Sequence, residues 1–117
     1  MVKAKITFLH KPNCTTCRKA RALLEKKQVE LQARDLGKDR LSLTELDQLI
    51  GRRDHRQFLN TRNELYRTRK MGTNPPSRDE ALKLMAAEPN LIRRPVALRG
   101  SEIVLGYDEE ALNQLAK

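Results

Sequence analysis

The chain has 117 residues, of which 38% are hydrophobic and 33% charged, and its formal net charge is +9. This length predicts one domain over residues 1–117, and the positive charge favours anionic partners such as an oxyanion, a nucleotide, nucleic acid or an acidic protein face. With no Trp, two Phe and two Tyr, the chain has few rings on which bases could stack, which disfavours binding of single-stranded nucleic acid.

The first third of the chain follows a strand–helix–strand pattern. Residues 4–9 alternate so that Ile6 and Phe8 share one face, which predicts a strand. A helix is predicted from about Thr15 to Lys27, and the period-two alternation of residues 29–36 predicts a second strand. A helix that connects two strands in this way places the strands parallel to each other.

The apolar segments of this chain are short. The N-terminal apolar run is interrupted by Lys3 and Lys5, which disfavours a signal peptide. No stretch approaches the roughly 18 consecutive apolar residues of a membrane-spanning helix. We therefore expect a cytoplasmic protein without membrane association.

The middle of the chain predicts three helices, which form an insertion over about 42–89. Ser42-Leu43-Thr44-Glu45 has the form of a capping box and opens the first helix, and Gly51 follows it at the C-cap position. A second helix is predicted over 55–69. Ser77-Arg78-Asp79-Glu80 has the same capping-box form and opens a third helix, which ends near Pro89.

The last part of the chain predicts a hairpin and a closing helix. Two short strands, over 95–98 and 102–105, are joined through Gly100. Acidic residues 108–110 then favour the N-terminus of a final helix. The complete order is β-α-β, three helices and β-β-α, which predicts an α/β protein with a mixed four-stranded sheet on the plan of thioredoxin.

Cys14 and Cys17 form a CxxC motif that follows the first strand and opens the first helix. The amide groups of the first helical turn and the helix dipole favour a thiolate at Cys14, so its pKa should fall below the free value of roughly 8.5. Lys11 and Arg18 are close in sequence and would lower it further. Cys17 lies one helical turn further on, where it would resolve a mixed disulfide formed at Cys14.

Two other interpretations of the cysteine pair stay open. The cysteines could be unrelated buried side chains, or they could bind zinc together with His10 and His55. The spacing from Cys17 to His55 matches no zinc-finger pattern, and the prediction is that no metal is bound.

Two arginines are unusual for their segments. Arg62 lies within the apolar stripe of the predicted 55–69 helix, where a guanidinium needs a carboxylate or an anionic ligand. Arg94 precedes Pro95 at the start of a strand, and either Arg94 or its neighbour Arg93 points inward, since adjacent strand residues face opposite ways. A structural salt bridge for Arg62 and a surface position for Arg94 are the alternatives.

Four segments occur in a characteristic order along the chain: His10-Lys-Pro-Asn-Cys14-Thr-Thr-Cys17-Arg18-Lys19-Ala20, Leu59-Asn60-Thr61-Arg62, Leu91-Ile92-Arg93-Arg94-Pro95 and Leu105-Gly106-Tyr107. Their combination resembles the arsenate reductase/Spx family. The resemblance spans essentially the whole chain and implies a thioredoxin-like fold with a helical insertion between its halves.

The resemblance implies roles for individual residues. Cys14 matches the nucleophile of the family, and His10 matches the histidine upstream of it. Arg62 and Arg94 match two arginines that surround the oxyanion in arsenate reductases. Pro95 matches a cis-proline that faces the active cysteine, which would put Arg94 beside the sulfur. The predicted catalytic residues are Cys14, Cys17, Arg62 and Arg94, and the predicted substrate-binding residues are His10, Arg18, Arg93 and Pro95.

Two positions separate the branches of this family. Tyr107 occupies the position where arsenate reductases of this type have a third arginine. Cys17 replaces the serine that is common in the single-cysteine enzymes. The first feature resembles the Spx-type regulators and the reductase-like proteins, some of which are linked to glutathione. The second resembles the Spx-type regulators.

The resemblance therefore implies an oxidoreductase that uses Cys14 on an oxyanion, a disulfide or a glutathione-type substrate. Glutaredoxin, thioredoxin or glutathione would be its reductant, with glutathione a co-substrate rather than a bound cofactor. The alternative is an Spx-like redox-sensing transcriptional regulator that binds the RNA polymerase alpha subunit. Direct reading of a DNA sequence is not expected, because no helix-turn-helix or zinc finger stands out.

Overall fold

The computed structural model of the chain describes residues 4–117. Residues 1–3, which belong to the predicted domain, lie outside the described range. The described chain divides into two units: residues up to Asp39 together with Arg94–Lys117 form the first, and Arg40–Arg93 form the second. A single domain over 1–117 stays a prediction.

The first unit contains a four-stranded mixed sheet, as predicted. Its strands are β1 (Lys5–His10), β2 (Glu30–Asp35), β3 (Val96–Arg99) and β4 (Glu102–Leu105), arranged in the order β2-β1-β3-β4. β1 is parallel to β2 and antiparallel to β3, and β3 is antiparallel to β4. The carboxyl end of β1 therefore lies beside the start of β3 and close to the end of β4.

Apolar side chains fix the first helix, α1 (Thr15–Glu25), against this sheet. Ile6 and Phe8 share one face of β1, as predicted, and both are fully buried with Ala20 and Leu24 of α1. The same core contains Ala97, Val104, Leu112 and Leu115. Because each large side chain that is fully buried stabilises the fold by roughly 1.5–3 kcal/mol, this core sets where the N-terminus of α1 lies relative to β1.

The predicted hairpin and closing helix are confirmed. Gly100 makes the turn between β3 and β4 with a φ of +62°, in the left-handed region that glycine adopts readily. Asp108 caps the last helix of the first unit by accepting the Ala111 N–H at 3.1 Å. The Gly106 N–H donates to the Pro95 carbonyl at 2.8 Å, which ties the end of β4 to the start of β3.

The second unit is helical. Its first helix, α2 (Leu43–Ile50), begins with the predicted capping box: the Glu45 N–H donates to Ser42 Oγ at 3.1 Å, and the Ser42 N–H donates to the Glu45 carboxylate at 3.0 Å. Gly51 ends the helix with a φ of +52°. Arg78 donates to the Asp47 and Gly51 carbonyls and so satisfies acceptors at the end of this helix.

The predicted helix over 55–69 is wrong. His55–Phe58 form a short 3-10 helix, and the α-helix that follows, α3 (Glu64–Thr68), has five residues. Between them, Leu59 pairs with Ile92 in an isolated antiparallel bridge. The apolar stripe with Arg62 at its centre therefore does not exist as a helix face.

Two asparagines account for this difference. Asn60 Oδ1 accepts the Arg62 N–H at 3.1 Å, and Asn63 Oδ1 accepts the Leu65 N–H at 2.8 Å. Short polar side chains that take nearby N–H groups compete with helix hydrogen bonds, and they favour turns and helix starts instead. Arg62 is exposed in the resulting turn.

The remaining helices are α4 (Arg78–Ala87) in the second unit and α5 (Glu109–Ala116) in the first. Ser77 caps α4 by accepting the Glu80 N–H at 3.2 Å, and the helix ends before Pro89 as predicted. Within residues 4–117, no helix combines the length and the apolar character needed to cross a membrane.

Candidate active site

Cys14 is the N-cap residue of α1. A turn, closed by the Cys14 N–H donating to the Lys11 carbonyl at 3.1 Å, leads from β1 into the helix. The Cys14 backbone is extended, and its carbonyl accepts the Arg18 N–H at 3.0 Å. Its Sγ accepts the Cys17 N–H at 3.4 Å. The sulfur therefore lies at the positive end of the helix dipole, where a negative charge is stabilised.

Two further side chains reach the same sulfur. Thr16 Oγ1 lies 3.1 Å from Cys14 Sγ. The Arg94 side chain also hydrogen-bonds Cys14. Arg94 lies two residues before β3, and the Arg94–Pro95 peptide bond is cis, as the family resemblance implied. Arg94 is thus the inward arginine of the neighbouring pair, whereas the Arg93 side chain is exposed.

Hydrogen bonding lowers the pKa of the Cys14 thiol. Burial alone would raise the pKa, but hydrogen bonds from Cys17, Thr16 and Arg94 outweigh burial and lower it to about 7. This places the pKa below that of a free cysteine and favours the thiolate at neutral pH. The predicted direction is correct.

Of the groups that the sequence suggested, the amide of the first helical turn lowers this pKa, since the Cys17 N–H donates to Cys14 Sγ. Arg18 is exposed on α1, and it is not among the groups that shift the pKa of Cys14. The Lys11 side chain extends towards the turn after β2, where its Cε and an Asp35 carboxylate oxygen both lie next to Gly37. The side-chain donors to Cys14 therefore come from α1 and from Arg94, and not from the cations that are adjacent to Cys14 in the sequence.

Cys17 has the opposite environment. Its side chain is 1% exposed, and burial, reinforced by the hydrogen bond and the charge of Cys14, raises the pKa of its thiol to about 12. A backbone hydrogen bond from Lys11 and the charge of Arg94 act in the other direction without overcoming burial. Both cysteines are free thiols in the structure.

His10 lies at the end of β1 and is 6% exposed. Its ring packs on Phe8 with a centroid separation of 5.2 Å. Burial and the charge of Arg21 lower its pKa, although Asp35 acts in the opposite direction. A buried, neutral imidazole offers little surface and no charge to an anion, so the geometry favours a packing role. Its predicted part in substrate binding stays a prediction.

The other predicted residues lie in different surroundings. Pro95 follows Arg94 in the chain and precedes β3. It belongs to the first unit, and its side chain is buried. Arg62 and Arg93 belong to the second unit, where the Arg93 N–H donates to the Phe58 carbonyl at 2.7 Å. The structure thus brings Cys14, Cys17 and Arg94 together. It leaves Arg62 and Arg93 as exposed side chains.

The zinc interpretation gains no support from the structure. Within the described part of the chain, no three His, Cys, Asp or Glu side chains are grouped closely enough to hold a metal ion. His55 Nε2 lies 2.9 Å from the Pro76 carbonyl oxygen, inside the second unit.

Sequence reasoning missed Thr16. A hydroxyl two residues after a helix N-cap is a local signal, because side chains at such positions commonly bond to nearby groups. The sequence nevertheless does not fix the rotamer, and it is the rotamer that places Oγ1 against the sulfur.

Comparisons with known proteins agree with this arrangement of cysteines and fold. Residues 9–115 match the model of the ArsC family. The chain belongs to the ArsC family. This confirms the resemblance that the four sequence segments indicated.

Individual members of the ArsC family and its relatives are similar over most of their length. The global transcriptional regulator Spx 2 of Lactococcus lactis is 29% identical over 109 residues, covering 92% of this chain and 83% of its own. The arsenate reductase from Vibrio cholerae is 26% identical with a TM-score of 0.84, covering 97% and 98%. A possible arsenate reductase from Streptococcus mutans is 30% identical with a TM-score of 0.75, covering 90% and 92%. The thioredoxin-like fold predicted from the sequence is confirmed, and a thiol redox protein fits both kinds of relative.

Proposed function

We propose that this ArsC-family chain is a cytoplasmic thiol oxidoreductase in which Cys14 attacks the substrate and Cys17 resolves the intermediate. One observation carries the proposal: two thiols three residues apart have opposite environments, since Cys14 Sγ accepts the Cys17 N–H at the N-terminus of α1 while the Cys17 side chain is buried. The pKa of Cys14, which is only partly buried, is lowered to about 7, while burial raises the pKa of Cys17 to about 12. The thiolate is the nucleophile in thiol–disulfide exchange, so the order of attack follows from this difference.

The first step uses the Cys14 thiolate. Its sulfur forms a bond to one sulfur of a substrate disulfide, the disulfide bond breaks, and the other sulfur leaves as a thiolate. Arg94, which hydrogen-bonds Cys14, is positioned to stabilise negative charge at the reacting sulfur and on an anionic substrate.

The second step uses Cys17. Two of the causes that raise its pKa, the hydrogen bond and the charge of Cys14, disappear once Cys14 is bound in a mixed disulfide. Cys17 then loses its proton more readily and attacks Cys14 Sγ. The bond between Cys14 and the substrate breaks, and the substrate half that was bonded to Cys14 leaves as a thiolate, which takes up a proton. The substrate disulfide has gained two electrons, and Cys14 and Cys17 are joined as a disulfide. Glutathione, glutaredoxin or thioredoxin supplies the two electrons that restore both thiols.

We favour a disulfide or glutathione-type substrate over arsenate. A small oxyanion needs several cationic donors around the nucleophile, and Arg94 is the arginine that hydrogen-bonds Cys14 within the first unit. Tyr107 follows Gly106, whose N–H binds the Pro95 carbonyl, and it is 39% exposed at this end of the sheet. An exposed ring suits an organic substrate better than an inorganic one. The role of Arg62 as a second anion ligand stays a prediction from the family.

The test compares substrates and traps the intermediate. Purified protein is assayed with a mixed disulfide of glutathione and a second thiol, with glutathione as the reductant, and separately with arsenate in the presence of glutathione and glutaredoxin. We expect turnover of the disulfide, and we expect Cys17→Ser to accumulate a mixed disulfide at Cys14 that mass spectrometry detects. Arsenate turnover without disulfide turnover would overturn the substrate assignment. Full activity in Cys14→Ser would overturn the mechanism.

A second candidate is an Spx-type regulator whose Cys14–Cys17 disulfide controls binding to the RNA polymerase alpha subunit. The observation that favours it is the similarity to a regulator named Spx over 92% of this chain, together with a CxxC pair that matches the regulators better than the single-cysteine enzymes.

Binding to the alpha subunit tests this candidate. Reduced protein, oxidised protein and the Cys14→Ser variant are each passed over immobilised alpha subunit. Binding that depends on the redox state of the wild type and not of Cys14→Ser would favour the regulator. Absence of binding in both redox states would eliminate it.

A further inference from the structure

We propose that Thr16 is a positioning residue for the nucleophile: its hydroxyl holds Cys14 Sγ at the helix N-terminus and selects the thiolate. The inference rests on the proposed function, in which Cys14 is the attacking thiol. Thr16 carries no role in the sequence motif itself, and the assignment comes from its contact with the sulfur.

The Thr16 hydroxyl lies within hydrogen-bond distance of the sulfur. Thr16 Oγ1 lies 3.1 Å from Cys14 Sγ, whereas the Cys17 N–H reaches the same sulfur at 3.4 Å. Thr16 is partly buried on the first turn of α1, so its hydroxyl meets less competition from water than a fully exposed one. A hydrogen bond to a charged acceptor in such a position is about twice as strong as a neutral one.

The hydroxyl serves the two protonation states differently. A hydroxyl both donates and accepts, so Thr16 can accept from the neutral S–H group and donate to the thiolate. Donation to the anion is the stronger of the two bonds, and the thiolate therefore gains more than the thiol. When Cys14 is bonded to another sulfur, the anionic acceptor is gone. Thr16 thus stabilises the attacking form of the cysteine specifically.

Other groups around the sulfur do not replace this contact. The titratable and charged side chains that hydrogen-bond Cys14 are Cys17, from α1, and Arg94, from the segment before β3. Burial acts against ionisation, and the donors together overcome it. Loss of the Thr16 hydroxyl leaves fewer donors against the same burial, so the balance shifts back towards the neutral thiol.

Alkylation of the full-length, reduced protein tests the proposal. The rate of iodoacetamide modification at Cys14 is measured from pH 5 to pH 10 for the wild type, Thr16→Val, Thr16→Ser and Thr15→Val. The isosteric valine removes the hydroxyl, the serine restores it, and Thr15→Val makes the same change at the exposed neighbour on the same helical turn. Mass spectrometry assigns the modified cysteine, and circular dichroism confirms that each variant is folded.

We expect Thr16→Val to raise the midpoint by about one pH unit, the effect of one charge-assisted hydrogen bond. Its limiting rate at high pH should rise roughly three-fold, because a more basic thiolate is a better nucleophile. Thr16→Ser and Thr15→Val should follow the wild type. A Thr16→Val profile equal to the wild type, or an equal shift in Thr15→Val, would overturn the inference.

The outcome is separable from the proposed function. Alkylation reports ionisation of Cys14 whether or not the protein turns over a disulfide. A shifted midpoint without reductase activity in the wild type would count against the reductase and support Thr16. Normal reductase activity with an unshifted midpoint in Thr16→Val would count against Thr16 alone.

Discussion

The N-termini of α1 and α2 satisfy the same backbone N–H groups with different atoms. In α2, Ser42 Oγ and the Glu45 carboxylate form a closed capping box. In α1, the acceptor is the sulfur of Cys14, and the first turn of the helix contains no acidic residue. An acceptor that does not titrate, such as Ser42 Oγ, pairs with the amide donors and stabilises the helix. When the acceptor is a titratable thiol, the same donors stabilise its anion and lower its pKa. The two helix starts therefore have similar local geometry and different consequences.

Replacing the titratable cap should have the largest effect. Cys14→Ser keeps a side-chain acceptor at the N-cap of α1, so the helix should remain, while the nucleophile is lost. We expect disulfide reductase activity to fall by at least ~10³-fold, and the midpoint of urea unfolding to change little. Ser42→Ala is the matched cap variant, and it should retain full activity. Comparable losses of activity in both variants would show that the difference between the two caps is structural only.

Removing the cation beside the sulfur should have a smaller effect. Arg94→Ala deletes one donor to Cys14 and the positive charge that faces an anionic substrate. We expect the rate at pH 7 to fall about ten-fold, as is typical for loss of one charged hydrogen bond. Arg93→Ala, one residue earlier and exposed, is the control and should act like the wild type. Equal effects of the two substitutions on the steady-state rate would contradict the inward placement of Arg94.

Removing the permanent cap should affect stability alone. Ser42→Ala deletes the oxygen that accepts the Glu45 N–H, which typically lowers the free energy of unfolding by about 1 kcal/mol. Equilibrium unfolding in urea measures this loss, with thiol alkylation of Cys14 as the second readout. A free energy of unfolding equal to that of the wild type would show that the capping box does not stabilise the protein. An altered alkylation midpoint would show that its effect is not confined to stability.

The same comparison explains what could be predicted from the sequence. The start of α2, the Gly100 turn and the acidic start of the last helix depend on a few adjacent residues, and all three predictions are confirmed. The predicted 55–69 helix is wrong because the side chains of Asn60 and Asn63 take up N–H groups that a helix would use. Local polar chemistry decided that segment, and apolar spacing did not.

The candidate site was predictable in position and less so in detail. The position of Cys14 at a helix start gave the direction of its pKa shift, because the helix N-terminus favours a negative charge. The sequence did not decide whether Arg93 or Arg94 points inward, since that depends on where β3 begins. It also added Lys11 and Arg18 as cations that lower the pKa further, although the side-chain donors are Cys17, Thr16 and Arg94. The directions of side chains at a helix start depend on tertiary packing, and neighbouring positions in the sequence do not reveal that packing.

The pH dependence of thiol reactivity tests the central claim most directly. For the reduced wild-type protein, the rate of alkylation at Cys14 should rise with a midpoint at about pH 7, in line with its lowered pKa. Cys17 should stay unmodified throughout this range, because burial raises its pKa to about 12. A Cys14 midpoint at pH 8.5 or above, the range of an ordinary free cysteine, or alkylation of both cysteines at equal rates would contradict the account.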